Sequence, residues 1–239
     1  GSEMCIRDRQ YELSYTNILN MLDLAGVPLF SKDRTELAPL VCVGGPCACN
    51  PEPIADFCDL VFLGDGEEST NQVLDLLKEC KHAGKSKQYF LSKAKDIRGV
   101  YVPSFYVDSY NNDGTLKELK PINGAPEKVK KAVVSDMNSV YYPKSFVVPF
   151  IEIVHDRAVE EIFRGCIRGC RFCQAGFIYR PIREKSVETI NEQAKALIKS
   201  TGYDEVSLCS LSTSDHSRVN EMLTSLIDWT VKEKINLSL

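Results

Sequence analysis

Two uninterrupted apolar runs, Leu40-Val-Cys-Val43 and Leu60-Val-Phe-Leu63, constrain this chain most, because neither alternates with polar residues. A strand that is apolar on both faces must be covered on both, the condition of a parallel sheet held between helices. Helical periodicity surrounds the two runs. Leu13, Ile18, Leu19, Leu22 and Ala25 form one apolar face, closed by Gly26 and Pro28. Val73, Leu74, Leu77 and Cys80 form another, and a short Pro-initiated helix is expected around Pro53–Phe57. Each run ends in a glycine turn, Gly44-Gly45-Pro46 or Gly64-Asp65-Gly66. Residues 10–84 therefore read as a partial Rossmann-like domain whose first strand is missing. Residues 1–9 lack periodicity, and Met4-Cys-Ile-Arg-Asp-Arg9 reads as a non-native leader.

Residues 85–149 change character. Val100–Val102, Phe105–Val107 and Leu116–Ile122 have the composition of short strands, with Asn111-Asn-Asp-Gly114 a turn between two of them. This stretch reads as a β-rich connector, with Pro126–Lys131 a solvated face. From residue 150 to 239 strand, loop and helix repeat twice before a third strand begins. Ala158–Phe163 is the first strand. Ser186 is placed to cap a helix whose apolar face is Val187, Ile190, Ala194, Leu197 and Ile198, with Glu188 in its first turn. Glu205–Leu208 is the second strand, Val219, Met222, Leu223, Leu226 and Ile227 line the second helix, and Leu237 lies in the third strand. Consecutive βα units build a barrel whose sites sit on loops after the strands' C-terminal ends. The chain stops within that third strand, so it reads as a fragment carrying a truncated (β/α) barrel.

The first of those loops holds Cys166-Ile-Arg-Gly-Cys170-Arg-Phe-Cys173. Three thiolates on one short loop can hold three irons of a cubane cluster and leave the fourth iron open, whereas ferredoxin-type sites close the cluster with four. Gly165 and Gly169 precede the first two cysteines, where the backbone can turn tightly. A structural zinc site would need four ligands in paired knuckles, and Cys209 is the remote candidate for the fourth. Buried, unligated cysteines are a third reading. Cys42, Cys58, Cys80 and Cys209 lie in apolar patterns where a small hydrophobe suffices, which speaks against a disulfide framework and for a reducing cytoplasm. With 44% hydrophobic and 26% charged residues and a net charge of −4, the chain is ordinary for a globular protein and has no global basic field. No run approaches a membrane span.

The stretch Arg164-Gly-Cys166 through Gly176, continuing to Tyr179-Arg-Pro-Ile-Arg183, resembles the radical SAM superfamily, and within it bacterial proteins with an N-terminal B12-binding-like domain. Gln10–Asn20 and Gly44–Gly45–Pro46 through Gly64–Glu67 are similar to that N-terminal domain. The resemblance implies that Cys166, Cys170 and Cys173 ligate a [4Fe–4S] cluster whose open iron is chelated by S-adenosylmethionine. One electron then cleaves the sulfonium to methionine and a 5′-deoxyadenosyl radical, which abstracts a hydrogen from a substrate the sequence does not name. It implies an electron donor such as flavodoxin or ferredoxin. Phe172 would lie beside the adenine, or else pack the loop on the barrel rim. Ser210, Ser212 and Ser214 fall where the superfamily often has a Gly-Gly-Glu stretch receiving the methionine amino group, and Asp215 reads equally as a helix cap.

Cobalamin is a further candidate cofactor of the front domain, with Gly44, Gly45, Gly64 and Gly66 letting the backbone approach it. Tight βα turns explain the same glycines without a ligand. Arg164, Arg168, Arg171, Arg180, Arg183 and Lys185 crowd one segment, which suits an anionic cofactor complex, a phosphate-bearing substrate, or loop solubility. Such a loop does not establish nucleic-acid binding. His82, His155 and His216 read as surface or capping residues. The competing function is a non-catalytic module that keeps an iron–sulfur or zinc site for interaction.

Overall fold

The computed structural model describes residues 4–8 as backbone, and residues 11–151 and 153–239 in full. Contacts divide the chain into two units, one ending at Val133 and one beginning at Val134. No described helix is long and apolar enough to cross a membrane.

The first unit is built on a four-stranded sheet in the order β1-β2-β3-β4. These strands are β1 (Met4–Asp8), β2 (Leu40–Gly44), β3 (Leu60–Phe62) and β4 (Val100–Tyr101). The first three are parallel, with Met4 opposite Leu40 and Cys42 opposite Leu60, and β4 closes the edge antiparallel. Alternate residues of an apolar strand serve opposite faces. Leu40, Cys42, Leu60 and Phe62 pack under α2 (Ser69–His82) and α3 (Lys87–Ala94). Val41, Val43, Val61 and Tyr101 pack with Ile18 and Leu22 of α1 (Tyr15–Leu24) and with Ala48, Ile54 and Cys58. Both faces are covered, as two-sided apolar strands require.

Three expectations change here. Part of the expected leader, Met4–Asp8, pairs with β2 and supplies a strand ahead of α1, while residues 1–3 and 9 lie outside the described residues. Edge pairing of this kind is a backbone ladder, which side-chain periodicity does not report. The short helix near Pro53 is a 3-10 turn over Glu52–Phe57. The expected connector contains α3, whose buried positions 87, 90, 91 and 94 follow a helical period that begins on a lysine and so does not read as apolar. β5 (Tyr106–Tyr110) and β6 (Leu116–Pro121) form the expected hairpin around Gly114.

The second unit holds a parallel sheet ordered β11-β10-β7, from β7 (Ala158–Glu161), β10 (Glu205–Cys209) and β11 (Asn236–Ser238). Helices α5 (Val187–Thr201) and α6 (Val219–Glu233) cover one face through Val187, Ile190, Ala194, Leu197, Met222 and Leu226. Ser186 caps α5, its hydroxyl accepting from the Thr189 amide at 3.1 Å. Ile227, expected inside, is exposed, and Trp229 takes the core position instead. Its indole donates to buried Asn191 at 3.0 Å and so ties the two helices.

The helix-covered face of β7 also buries Glu160, joined to Lys185 at 2.9 Å. Lys185 donates in turn to Gln193 at 2.7 Å and stands 4.1 Å from the Tyr142 ring. Burial lifts the Glu160 carboxyl from its ordinary 4.5 to about 7, against the pull of Lys185. Across that interval the folded protein keeps a proton that the unfolded chain has released. This residue's contribution is therefore fully present below the unfolded value and is lost as pH rises through the folded one. Relative to Glu160→Gln, the wild type should lose about 1–3 kcal/mol of stability over that window. Denaturant midpoints on either side of it measure the effect, and parallel profiles would refute it.

Candidate functional site

β7 passes through Ile162 into β8 (Phe163–Arg164), which pairs antiparallel with β9 (Arg183–Glu184). Residues 165–182 leave the sheet between these strands as a loop pinched at its neck, where the Lys185 amide donates to Ile162 O at 3.0 Å. Gly165 makes the pinch sterically feasible. It has φ +95°, and a side chain there would meet Ile182 Cα at 2.9 Å and Pro181 O at 3.0 Å. Gly169, expected to share this role, has an ordinary φ and open space around it.

The three cysteines line this loop. Cys170 is exposed, Cys166 and Cys173 are half-buried, and the Cys173 amide donates to Cys170 O at 3.1 Å ahead of α4 (Ala175–Ile178). Cys166, Cys170 and Cys173 are free thiols. Among the described residues no three His, Cys, Asp or Glu side chains converge on a point that one ion could occupy. A cubane does not ask for convergence, since each thiolate meets a different iron. Three free thiols on one accessible loop fit that donor set. Phe172 is 93% exposed, so its ring does not pack the loop onto the sheet rim.

Most of the crowded cations resolve into partners. Arg164 holds Glu161 at 2.8 and 3.1 Å, and Arg168 holds Asp215 with both ends of its guanidinium. Arg183 is buried and donates to the carbonyls of Tyr179, Pro181 and Val134, and Lys185 is buried on Glu160. Arg180 stacks over Phe177 at 4.9 Å. Four of these six cations are thus held by carboxylates or carbonyls and Arg180 lies over a ring, while Arg171 is exposed.

The loop after β10 lies against the cysteine loop. Ser210 Oγ and Thr213 Oγ1 are 3.0 Å apart, and the Ser212 amide donates to Ser210 Oγ at 3.3 Å. Ser212 Oγ donates to Asp215 Oδ2 at 2.7 Å. Arg168 first and Ser212 second hold the Asp215 carboxyl below its ordinary range. Asp215 does not cap α6, whose N-cap position is Arg218. Two further expectations are corrected. His216 is buried, with Nε2 facing Lys185 O at 3.2 Å and Nδ1 accepting from the Arg218 amide at 3.1 Å. Cys209 is exposed, paired in register with Glu161 on the sheet face that α5 and α6 leave open. Strand alternation does carry the signal for Cys209, since Val206 and Leu208 occupy the other face.

The glycines proposed for a cofactor lie in the first unit. Gly64 has φ +96°, and a side chain there would sit 2.1 Å from Ala132 O. That carbonyl accepts from the Asp65 amide at 3.0 Å, and the Ala132 amide donates to Leu63 O at 2.8 Å. The chain's own Ala132 thus occupies the space beside Gly64. Gly44 would meet Phe62 Cβ at 3.7 Å, Gly66 would meet Thr70 Oγ1 at 3.2 Å, and Gly45 turns with φ +92°. Gly64→Ala is accordingly expected to destabilise the ligand-free protein by about 1–3 kcal/mol or more through strain at a special backbone conformation. An unchanged thermal midpoint without any ligand would contradict this packing account.

Sequence comparison agrees with the loop. The family described as "Radical SAM proteins, N-terminal" matches residues 4–103, and "Radical SAM superfamily" matches residues 161–231, spanning all three cysteines. The chain belongs to the radical SAM superfamily. An uncharacterized protein of Methanocaldococcus jannaschii is 28% identical over 225 residues, covering 93% of this chain and 41% of the relative. Among solved structures, the radical S-adenosylmethionine methyltransferase TsrM from Kitasatospora setae, with tryptophan and a SAM analogue bound, aligns at a TM-score of 0.53 and 12% identity. That alignment covers 83% of this chain and 36% of TsrM. TsrM with cobalamin and a [4Fe–4S] cluster aligns at 0.52 and 11% identity, over 83% of this chain and 37% of TsrM. At these identities the likeness is one of fold. The radical SAM chain described here thus spans about two-fifths of the length of its curated relative.

Proposed function

We propose that this chain is the cluster-bearing part of a radical SAM enzyme in which Cys166, Cys170 and Cys173 hold a [4Fe–4S] cluster. The observation that carries the reading is the accessible three-thiol loop at the C-terminal end of β7, inside the radical SAM match. When bound, such a cluster supplies the electron that cleaves S-adenosylmethionine and yields a 5′-deoxyadenosyl radical. The chain's own part is positional. The β8–β9 neck and Gly165 hold the loop, Arg168 joins it to the Ser210–Asp215 loop, and exposed Phe172 offers a ring to an adenine. Ser210 and Ser212 stand where the methionine end is expected, although their hydroxyls are engaged within the loop. TsrM binds cobalamin; in this chain the Gly64 edge fits the chain's own Ala132, so no step is assigned to cobalamin there.

The substrate is left open, and the electron donor is a flavodoxin- or ferredoxin-type partner in this reading. The test is anaerobic incubation of the whole protein with a strong reductant and S-adenosylmethionine. Formation of 5′-deoxyadenosine supports the enzyme, and none from protein with an intact cluster ends the reading. The present chain alone should form little, since a partial barrel leaves its cofactor face wet. A match to the whole protein's rate would overturn that expectation.

A further inference from the structure

We propose that Arg168 and Asp215 form a latch that fixes the outer part of the cysteine loop against the loop following β10. The inference rests on the cluster reading above and adds a positioning pair to it.

The bases of the two loops are already joined. The Glu184 carboxylate accepts from the Ser217 amide at 2.8 Å and from its hydroxyl, and His216 Nε2 faces Lys185 O at 3.2 Å. These contacts all lie at the neck. Arg168 stands between Cys166 and Cys170 in sequence, beyond the neck, and its fork grips Asp215 at both carboxylate oxygens. Its backbone is seated as well, because Gly176 at the start of α4 brings a would-be side chain to 3.3 Å from Arg168 O. Ser212 Oγ donates at 2.7 Å to Asp215 Oδ2, the oxygen that Arg168 Nε also meets. One carboxylate thus links the segment carrying two cysteines to the serine loop on the neighbouring strand.

An ion pair whose cation is largely exposed contributes little to global stability. The bidentate geometry contributes direction instead, since two parallel N–H···O bonds fix the guanidinium plane. The consequence is therefore local, namely where Cys166 and Cys170 sit when a cluster is present. Residues that orient metal ligands from behind act in this way.

The experiment uses the whole protein reconstituted anaerobically with iron and sulfide. Iron release to a chelator is followed for Arg168→Ala, Asp215→Ala, Arg168→Lys and the double alanine variant, and thermal unfolding is followed for each without iron. Each single alanine variant is expected to keep its unfolding temperature and to release iron about tenfold faster. Arg168→Lys should recover part of the loss. The double variant should be no worse than either single, because the two residues act as one unit. Release at the wild-type rate, additive losses in the double variant, or iron loss that merely tracks lowered stability would each overturn the latch. If wild type itself holds no iron and sulfide, the cluster reading fails, which is a separate outcome.

Discussion

Alanine at Cys166, Cys170 or Cys173 is expected to abolish the cluster in each case, leaving colourless protein where wild type binds about four irons with matching sulfide, as a cubane held by three thiolates requires. Each cysteine would serve a different iron, so removing one leaves a cubane with two open corners and no nearby replacement. Cys209 does not substitute readily, since it sits on β10 rather than on the loop. Cys58→Ala and Cys80→Ala are the controls. Both thiols are buried in the cores of the first unit, so these variants should lose some stability and keep full iron. Iron and acid-labile sulfide analysis after anaerobic reconstitution decides the matter. Normal content in all three loop variants would remove the assignment. Zinc without sulfide in wild type would favour the competing structural module.

The sequence shows the site better than it shows what holds the site. Three cysteines at fixed spacing need no tertiary information, and neither do Leu40–Val43 and Leu60–Leu63, whose two-sided apolarity already demands a covered parallel sheet. What escaped is long-range pairing. Arg168 finds Asp215, Glu160 finds Lys185, and Gly64 makes room for Ala132, each partner lying well outside a helical or strand period. The cation-rich segment misleads for the same reason. Read in line it resembles an anion-binding patch, whereas in space Arg164, Arg168 and Lys185 meet carboxylates and Arg183 meets carbonyls. His216 and Trp229 show the complementary failure, in which a polar-tipped side chain fills the core because a backbone carbonyl or an asparagine receives its N–H.

Asp59→Ala is expected to destabilise the first unit by about 3–5 kcal/mol, the cost of leaving buried charge uncompensated. Asp59 is only 1% exposed. It accepts from Arg34 at 3.1 and 3.0 Å, from Ser31 Oγ at 2.5 Å and from the Val41 amide at 2.7 Å, and Lys87 Nζ lies 2.6 Å away. Two buried cations share one carboxylate. Carbonyls of Pro28, Leu29 and Phe57 receive the remaining Arg34 donors, and those of Ser31 and Arg34 receive Lys87. The substitution would remove the acceptor of two Arg34 donors, of the Ser31 hydroxyl and of the buried Val41 amide, and would leave two positive groups in a low dielectric. Lys87→Met separates that account from simple packing. It leaves one cation on one carboxylate and keeps most of the side-chain volume, so it should cost clearly less than Asp59→Ala. Against a typical domain stability of about 5–15 kcal/mol, the alanine variant's loss is a large fraction and should lower the denaturant midpoint markedly in titration. Equal losses for the two variants would point to packing alone. A loss below about 1 kcal/mol for Asp59→Ala would mean the charges are solvated after all.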